Sequence, residues 1–248
     1  SDPAVRESEI KNMSEVYTVL KKEVLPALRR ARFIANVEYK NYTKDELLKL
    51  VEENSDVLDE EALLRSATLV KDAKTKEALY KKAVEKFNSD RAQFNLGVLY
   101  LNNEDLAAAE KAFAKVNTKD ADLENAKGVI ALRKGDLATA EKAFNAAGEA
   151  GKANLAIVDI LNGNYAKAAA ALKGTNSFNE ALADVLVGKL DEASAALKCQ
   201  CPKANYLRAI IAARQGKAAD VKTYLEKASK NKVLAARAEK DIEFAQYR

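Results

Sequence analysis

The sequence predicts an all-α protein, a right-handed superhelical stack of helical hairpins that follows a short N-terminal helix–strand segment. Its 248 residues are rich in Ala, Leu, Lys and Glu and contain only nine glycines and three prolines, a composition that favours helices. The segment "NEDLAAAEKAF" at 103–113 recurs almost unchanged as "KGDLATAEKAF" at 134–144. A repeat of this length is typical of stacked supersecondary units.

The turn between two helices marks each repeat. Glu104 and Gly135 occupy equivalent positions, and the same position recurs at Gly163, Gly188 and Gly216, in steps of 31, 28, 25 and 28 residues. Apolar residues recur at helical spacing on both sides of each turn. The pattern predicts helical hairpins, and because one hairpin cannot bury both of its faces, we expect the hairpins to stack in register.

Small and large residues alternate along the second helix of each hairpin. Ala109 lets the first helix approach closely, and Phe113 fills the space one turn further on. We therefore expect the equivalent Ala140 to be buried against its own hairpin partner. A more divergent pair is predicted at 61–71 and 75–87 and a closing helix at 232–246, which gives six pairs and a cap.

The first forty residues follow a different pattern. Glu9–Arg30 is helical by pattern, whereas the apolar and polar residues of Phe33–Tyr39 alternate as in a strand. We therefore divide the chain into an N-terminal segment, 1–42, and a repeat domain, 43–248. A single strand leaves unpaired backbone groups, so we expect it to pair with a preceding domain. Without that domain we expect it to pair with another copy of the chain, to form a local hairpin, or to be disordered.

The best preserved repeat resembles a tetratricopeptide repeat. In "NLGVLYLNNEDLAAAEKAF" the residues that match this family's pattern are Leu96, Gly97, Tyr100, Ala109 and Phe113. Later copies keep less of the pattern and have a shorter period. The resemblance implies a superhelical solenoid with a concave groove that binds protein or peptide partners.

A second resemblance covers nearly the whole chain. The order "VLPALRRARFIANVEYKNYTKDELLKLV", then the repeats, then "AEKDIEFAQYR" is similar to the C-terminal region of bacterial outer-membrane lipoproteins that also carry an OmpA-like domain. This resemblance implies that Arg32–Asn41 is the last strand of such a domain. It also implies a place in the cell envelope, at the periplasmic face of the outer membrane.

The residues needed for most catalytic and metal sites are missing from the sequence. The chain contains no histidine, which excludes Ser-His-Asp and Cys-His arrangements and the usual zinc sites. It has no Gly-rich phosphate-binding loop. Carboxylate pairs such as Glu60 and Glu61 fall in first helical turns, where they oppose the helix dipole. We expect no enzyme activity, no metal and no cofactor.

Charge and hydropathy exclude two other partners. Lys and Arg number 41 against 37 for Asp and Glu, and the net charge of +4 is spread along the chain. This small excess does not indicate nucleic-acid binding. No apolar run approaches the roughly 18 to 20 residues that a membrane span requires.

The two cysteines lie close together in "KCQCPK". Cys199 and Cys201 are too few for a structural metal site by themselves. We expect two small, partly buried thiols at a helix end before Pro202. An oxidised pair remains an alternative and is favoured if the protein is exported.

The resemblance to tetratricopeptide repeats also implies where a partner binds, because that family lines its concave groove with the first helix of each hairpin. The corresponding residues are Phe94, Val98, Leu101, Asn102, Asn125, Val129, Leu132, Arg133, Phe178, Leu182, Tyr206, Ile210 and Arg214. Chaperone-binding members clamp a peptide's terminal carboxylate with Lys and Asn, but one such row is apolar here. Alternatively, these residues only pack neighbouring hairpins together.

These observations leave three classes of function. We expect first a non-catalytic protein-interaction scaffold of the bacterial cell envelope, with a protein or peptide partner. The alternative is a structural spacer or assembly region whose concave face is covered by its own chain or by another subunit. An enzyme is the third class and has the least support.

Overall fold

The computed structural model describes residues 41–247, preceded by residues 2, 4, 5, 8, 18 and 22. The chain divides into two compact units, Ser1–Thr43 and Lys44–Arg248, and the second is described below. Apart from residues 18 and 22, the helix predicted at 9–30 lies outside the described residues, as does the strand predicted at 33–39. Between residues 41 and 247 all regular elements are helical, as predicted.

Fourteen α-helices follow one another within residues 41–247. They are α1 (Lys44–Glu53), α2 (Glu60–Leu69), α3 (Ala73–Phe87), α4 (Asp90–Asn102), α5 (Leu106–Phe113), α6 (Ala121–Arg133), α7 (Leu137–Ala146), α8 (Lys152–Leu161), α9 (Tyr165–Leu172), α10 (Phe178–Leu186), α11 (Leu190–Ala196), α12 (Pro202–Arg214), α13 (Ala218–Ala228) and α14 (Lys232–Ala238). Short 3₁₀ helices lie at Ser55–Val57, Gly148–Gly151 and Ile242–Tyr247.

Consecutive helices pack in pairs, which we name hairpins 1 to 6: α2 with α3, α4 with α5, α6 with α7, α8 with α9, α10 with α11, and α12 with α13. Neighbouring hairpins also contact one another, so the core runs along the stack. The six predicted pairs are confirmed, and the divergent first pair lies within two residues of its predicted bounds.

The turn residue of hairpins 2 to 6 has a left-handed backbone. Its φ is +63° at Glu104 and +80° at Gly135, and the glycines at 163, 188 and 216 have φ values between +73° and +81°. Glycine is the residue that adopts this conformation without steric cost, which explains its recurrence at this position. The turns inferred from the sequence are therefore confirmed.

Polar caps fix where many helices begin. A side-chain oxygen of the capping residue accepts a hydrogen bond from the backbone N–H three residues later at Asp59, Asp72, Ser89, Asp105, Asp120, Asp136 and Ser177. These bonds satisfy donors that lack a partner within the helix. Glu60 and Glu61 lie in the first turn of α2, as predicted, and Asp191 and Glu192 lie in that of α11.

The small residue of the second helix is buried in the middle of each hairpin. Ala109 and Ala140 have no exposed surface, which confirms the burial predicted for Ala140. The first helix approaches most closely at glycines: a Cβ at Gly97 would lie 2.5 Å from the ring of Phe113. Gly128 faces Phe144 in the same way. A missing side chain on one helix therefore accommodates a phenyl ring on the other.

The closing helix predicted at 232–246 is wrong as a single element. The chain forms α14, leaves the helix, and resumes as the 3₁₀ helix Ile242–Tyr247. The Asp241 carboxylate accepts a hydrogen bond from the Glu243 N–H at 3.1 Å, which starts the new turn. The break lets Phe244 reach hairpin 6, where its side chain is buried.

Candidate interaction surface

The predicted groove residues fall at a few equivalent positions of the first helices. Three of these positions, ten, six and two residues before the turn, are spaced by four and therefore share one helix face. The others, Leu101 and Leu132, lie three residues before the turn. The structure thus places the predicted residues in rows that cross successive hairpins.

The row six residues before the turn is apolar throughout. We call it the apolar row, and its members are Val98, Val129, Ile157, Leu182 and Ile210. Each is half-buried, and the side chains of Val98, Val129, Leu182 and Ile210 pack on core clusters. The row therefore offers one partly exposed aliphatic side chain per hairpin across hairpins 2 to 6.

The row ten residues before the turn is mixed. The rings of Phe94 and Phe113 lie 5.4 Å apart, which fixes Phe94 in its half-buried position. Phe178 is 39% exposed at the start of α10. The Asn125 side chain accepts a hydrogen bond from the Asn154 amide at 2.8 Å, a contact between hairpins 3 and 4.

Two arginines at the ends of first helices join neighbouring hairpins. The Arg133 guanidinium donates to the Leu101 carbonyl at 2.9 Å, and the Arg214 guanidinium donates to the Val185 carbonyl at 3.0 Å. In both bonds the arginine lies two residues before the turn of its own hairpin. The residue whose carbonyl accepts the bond lies three residues before the turn of the preceding hairpin. Leu101 is buried and Leu132 half-buried, whereas Asn102 is exposed.

The C-terminal segment covers part of hairpin 6. The Tyr206 hydroxyl donates to Asp241 at 2.6 Å, and its ring meets Phe244 edge-on with centroids 5.5 Å apart. Burial, followed by this hydrogen bond, raises the pKa of Tyr206. The Arg214 guanidinium also pairs with Glu243. Of the predicted groove residues, Leu101 and Tyr206 are thus buried, and Asn125, Arg133 and Arg214 are engaged by the chain itself.

Three carboxylates are buried that the sequence pattern did not predict to be so: Asp159, Glu180 and Asp184. Asp159 pairs with Lys167 at 2.9 Å. Glu180 accepts from the Gly174 and Asn176 backbone N–H groups at 2.7 and 2.6 Å and so holds the loop before α10. Burial, followed by repulsion from Glu180, raises the pKa of the third, Asp184. Their helical spacing made them indistinguishable from exposed acids in the sequence.

Two of these carboxylates have structural partners. Glu180 is occupied by the loop, and Asp159 by its lysine. Within the described part of the chain no cluster of three or more Cys, Asp or Glu side chains is arranged to hold a metal ion. The arrangement around the first helices offers apolar contact area and a few hydrogen-bonding groups, which suits binding.

The cysteine segment differs from its predicted form. Cys199 and Cys201 are exposed, they are joined by a disulfide, and they lie in the non-helical loop between α11 and α12. The expectation of two partly buried thiols is therefore wrong. The backbone turns out of the helix after Ala196, which exposes both side chains and brings the sulfurs together.

Solved structures share this fold. A tetratricopeptide repeat protein from Parabacteroides merdae ATCC 43184 is 14% identical, with a TM-score of 0.59 over 93% of this chain and 96% of that chain. PilW, described as a widely conserved type IV pilus biogenesis factor, is 17% identical, with a TM-score of 0.56 over 77% of this chain and 94% of its own. The fold is thus that of tetratricopeptide-repeat arrays.

The other comparisons bring no further relatives. No protein-family model and no curated protein matches the sequence. None of the helices in the described part of the chain combines the length and the apolarity needed to cross a membrane.

Proposed function

We propose that this chain is a non-catalytic protein-interaction scaffold that binds an extended segment of a partner protein along its first helices. The observation that carries the proposal is the apolar row, which is half-exposed in five successive hairpins. A side chain needed only for packing between hairpins would be buried, as Leu101 is. An extended peptide with apolar side chains at intervals matches such a row.

The margins of the row favour hydrogen bonds to a peptide backbone over recognition of a chain end. Asn102 and Arg133 are exposed beside it, and Phe178 provides an aromatic contact on the opposite side. The row itself has no Lys or Asn that could clamp a terminal carboxylate. The proposed ligand is therefore an internal peptide segment with apolar residues.

We also place this scaffold in the bacterial cell envelope. The support is the sequence resemblance to envelope lipoproteins that carry an OmpA-like domain, together with the fold shared with PilW. In this proposal the repeat array lies at the periplasmic face of the outer membrane. The strand predicted at Phe33–Tyr39 would pair with the preceding domain, or with a second copy when that domain is removed.

Site-specific photocrosslinking tests the binding face with a matched pair of aromatic residues. Phe178 on the first helix of hairpin 5 is 39% exposed, and Tyr165 on the second helix of hairpin 4 is 38% exposed. A benzoylphenylalanine at each position should react equally with random neighbours. We expect partner adducts from envelope preparations at position 178, and few at position 165.

A substitution then separates binding from folding. Phe178→Glu should reduce capture of the same partner by more than about fivefold and leave the thermal midpoint nearly unchanged, because the side chain is exposed. Tyr165→Glu is the control and should bind normally. Equal adducts at both positions, or unchanged capture by Phe178→Glu, would contradict a binding face on the first helices.

The alternative function is a structural spacer whose concave face is self-covered. One observation favours it: in hairpin 6 the C-terminal segment already occupies Tyr206 and Arg214. The same crosslinkers distinguish this function, because a spacer would give adducts only with its own chain or with a second copy.

A further inference from the structure

The loop between α11 and α12 carries a chemically reactive group that the scaffold function does not use. Cys199 and Cys201 are both exposed, and a disulfide joins them across a single intervening residue. We propose that this disulfide is an exchange site, which oxidises thiols of other molecules and is reduced in return. Its substrates are thiols, either in a partner protein or in a small molecule.

The loop is held in place by groups other than the disulfide. The buried Asn205 side chain donates to the Gln200 carbonyl at 2.9 Å. The buried Arg208 guanidinium donates to the Leu197 carbonyl at 2.7 Å and to the Asn205 side chain at 3.1 Å. Because these bonds come from α12, the loop keeps its position when the disulfide opens.

The two sulfurs occupy different electrostatic environments. Cys201 is the N-cap of α12, Pro202 is the first helical residue, and the cap makes no side-chain hydrogen bond. At seven other helices an Asp or Ser oxygen occupies this place and accepts the N–H three residues later. A thiolate released at Cys201 would find that donor, at Ala204, and the positive end of the helix dipole.

Local charge acts on both sulfurs. Lys198 and Lys203 flank the pair, and both side chains are exposed. Cations near a sulfur stabilise its thiolate form. The helix end acts mainly on Cys201, whereas Cys199 lies two residues further from the helix and accepts only the Cys201 backbone N–H, at 3.0 Å. Cys201 is therefore the better leaving group, and Cys199 is the sulfur that an incoming thiolate attacks.

The exchange proceeds in two balanced steps. A substrate thiolate attacks Cys199 Sγ, the bond to Cys201 Sγ breaks, and the electron pair of that bond stays on Cys201 as a thiolate. A second thiolate then attacks the substrate sulfur of the mixed disulfide and displaces Cys199. Two thiols become one disulfide, and the two electrons and two protons they release reduce Cys199 and Cys201 to thiols.

Reduced glutathione tests the accessibility of the disulfide in the folded protein. We expect the native protein to be reduced by millimolar glutathione within minutes, to gain two alkylatable thiols, and to yield one oxidised glutathione per chain. Circular dichroism should show unchanged helix content. A disulfide that resists glutathione in the folded protein, but is reduced after unfolding in urea, would overturn the proposal.

Single-cysteine variants test the different roles of the two sulfurs. At neutral pH the Cys201 thiol in Cys199→Ser should react with iodoacetamide several-fold faster than the Cys199 thiol in Cys201→Ser. With oxidised glutathione, both variants form a mixed disulfide, and equal folding is checked by thermal melting. Equal rates, or faster alkylation of Cys199, would overturn the assignment of Cys201 as the leaving group.

Discussion

Hairpins 2 and 5 share one backbone plan and pack it with different side chains. Seven residues before the turn, hairpin 2 has Gly97 and hairpin 5 has Ala181; nine residues after it, they have Phe113 and Leu197. Both large residues are buried. The Phe113 ring faces Gly97, and Leu197 lies in the same core cluster as Ala181. The combined volume of the pair is therefore nearly constant across the helix interface.

Hairpins 3 and 4 follow the same rule. Hairpin 3 combines Gly128 with Phe144, and hairpin 4 combines Ala156 with Leu172. Interiors are packed closely enough that one methyl group matters, so the glycine and the phenylalanine depend on each other. Exchanging these residues between hairpin types should therefore change the free energy of unfolding more than any other exchange described below.

Gly97→Ala should destabilise the protein by about 1–3 kcal/mol, because the new Cβ would overlap the Phe113 ring. Phe113→Leu should cost about 1 kcal/mol or more through the cavity it leaves. The double variant recreates the packing of hairpin 5 and should lose less than the sum of the single losses. Urea unfolding of the four proteins measures this coupling.

The reverse exchange in hairpin 5 is the matched control. Leu197→Phe should destabilise through overpacking, and Ala181→Gly in the same chain should restore part of the loss. Additive free-energy changes in both hairpins would mean that the two positions are independent, and would contradict the packing of the small residue against the large one.

The turn residues of the two hairpins also differ, but here hairpin 2 has the larger residue. Glu104 has a φ of +63° and Gly188 a φ of +81°, so hairpin 2 carries a side chain where hairpin 5 has none. Gly188→Ala should cost about 1–2 kcal/mol, because an added Cβ meets open space but the backbone conformation remains unfavourable. Glu104→Gly should stabilise by about 0.5–1 kcal/mol. Thermal melting measures both, and a Gly188→Ala variant as stable as the parent would contradict the strain argument.

Four residues before the turn, the two hairpins bury different polar groups. The Tyr100 hydroxyl donates to Glu77 at 2.7 Å, whereas Asp184 lies among Glu180, Glu192 and two lysines. In hairpin 4 the equivalent Asp159 meets Lys167, which stands at the position of Glu192. Hairpin 5 therefore places an acid where hairpin 4 places the neutralising base.

The pH dependence of stability follows from this difference and is the smallest expected effect. The pKa of Asp184 is raised by burial above its ordinary value of 3.8, so the folded state holds this proton more tightly than the unfolded state. The stabilisation is fully present below pH 3.8 and is lost as the pH rises through the raised pKa. Subtracting urea-unfolding data for Asp184→Asn from those for the parent isolates this loss from other carboxylates.

Glu192→Lys should remove most of the stability loss that accompanies ionisation of Asp184. At pH values above the raised pKa of Asp184 it should stabilise hairpin 5 by about 0.5–1 kcal/mol, because it recreates the ion pair of hairpin 4. Lys167→Glu is the reciprocal variant and should introduce a similar pH dependence into hairpin 4. A parent protein whose stability does not differ in pH dependence from Asp184→Asn would contradict the raised pKa.

The helical hairpins could be predicted from the sequence because they depend on residues that are close together along the chain. Gly135 and its equivalents need a left-handed backbone, and Ala109 and its equivalents need close approach, so both leave a periodic signal. The pairing of Gly97 with Phe113 was also present in the sequence. It is recognisable only once the glycine and the phenylalanine are compared across all hairpins.

The features that the sequence did not predict depend on contacts between segments that are distant along the chain. Asn205 and Arg208 look like surface residues in the sequence, but their donors bind loop carbonyls of the preceding hairpin. The burial of Tyr206 follows from the position of Phe244, which depends on where the chain leaves α14. The partner-binding role of the remaining groove residues stays a prediction that the crosslinking experiment tests.

The arginine hydrogen bonds stabilise some interfaces between neighbouring hairpins more than others. Stability in a repeat protein is approximately a sum of unit terms and nearest-neighbour terms. Arg133 adds such a term between hairpins 2 and 3, and Arg214 adds one between hairpins 5 and 6, whereas Leu161 and Leu186 occupy this position in hairpins 4 and 5. Under pulling force or mild denaturant the array should therefore separate near hairpin 4, into two halves that each unfold as a cooperative block.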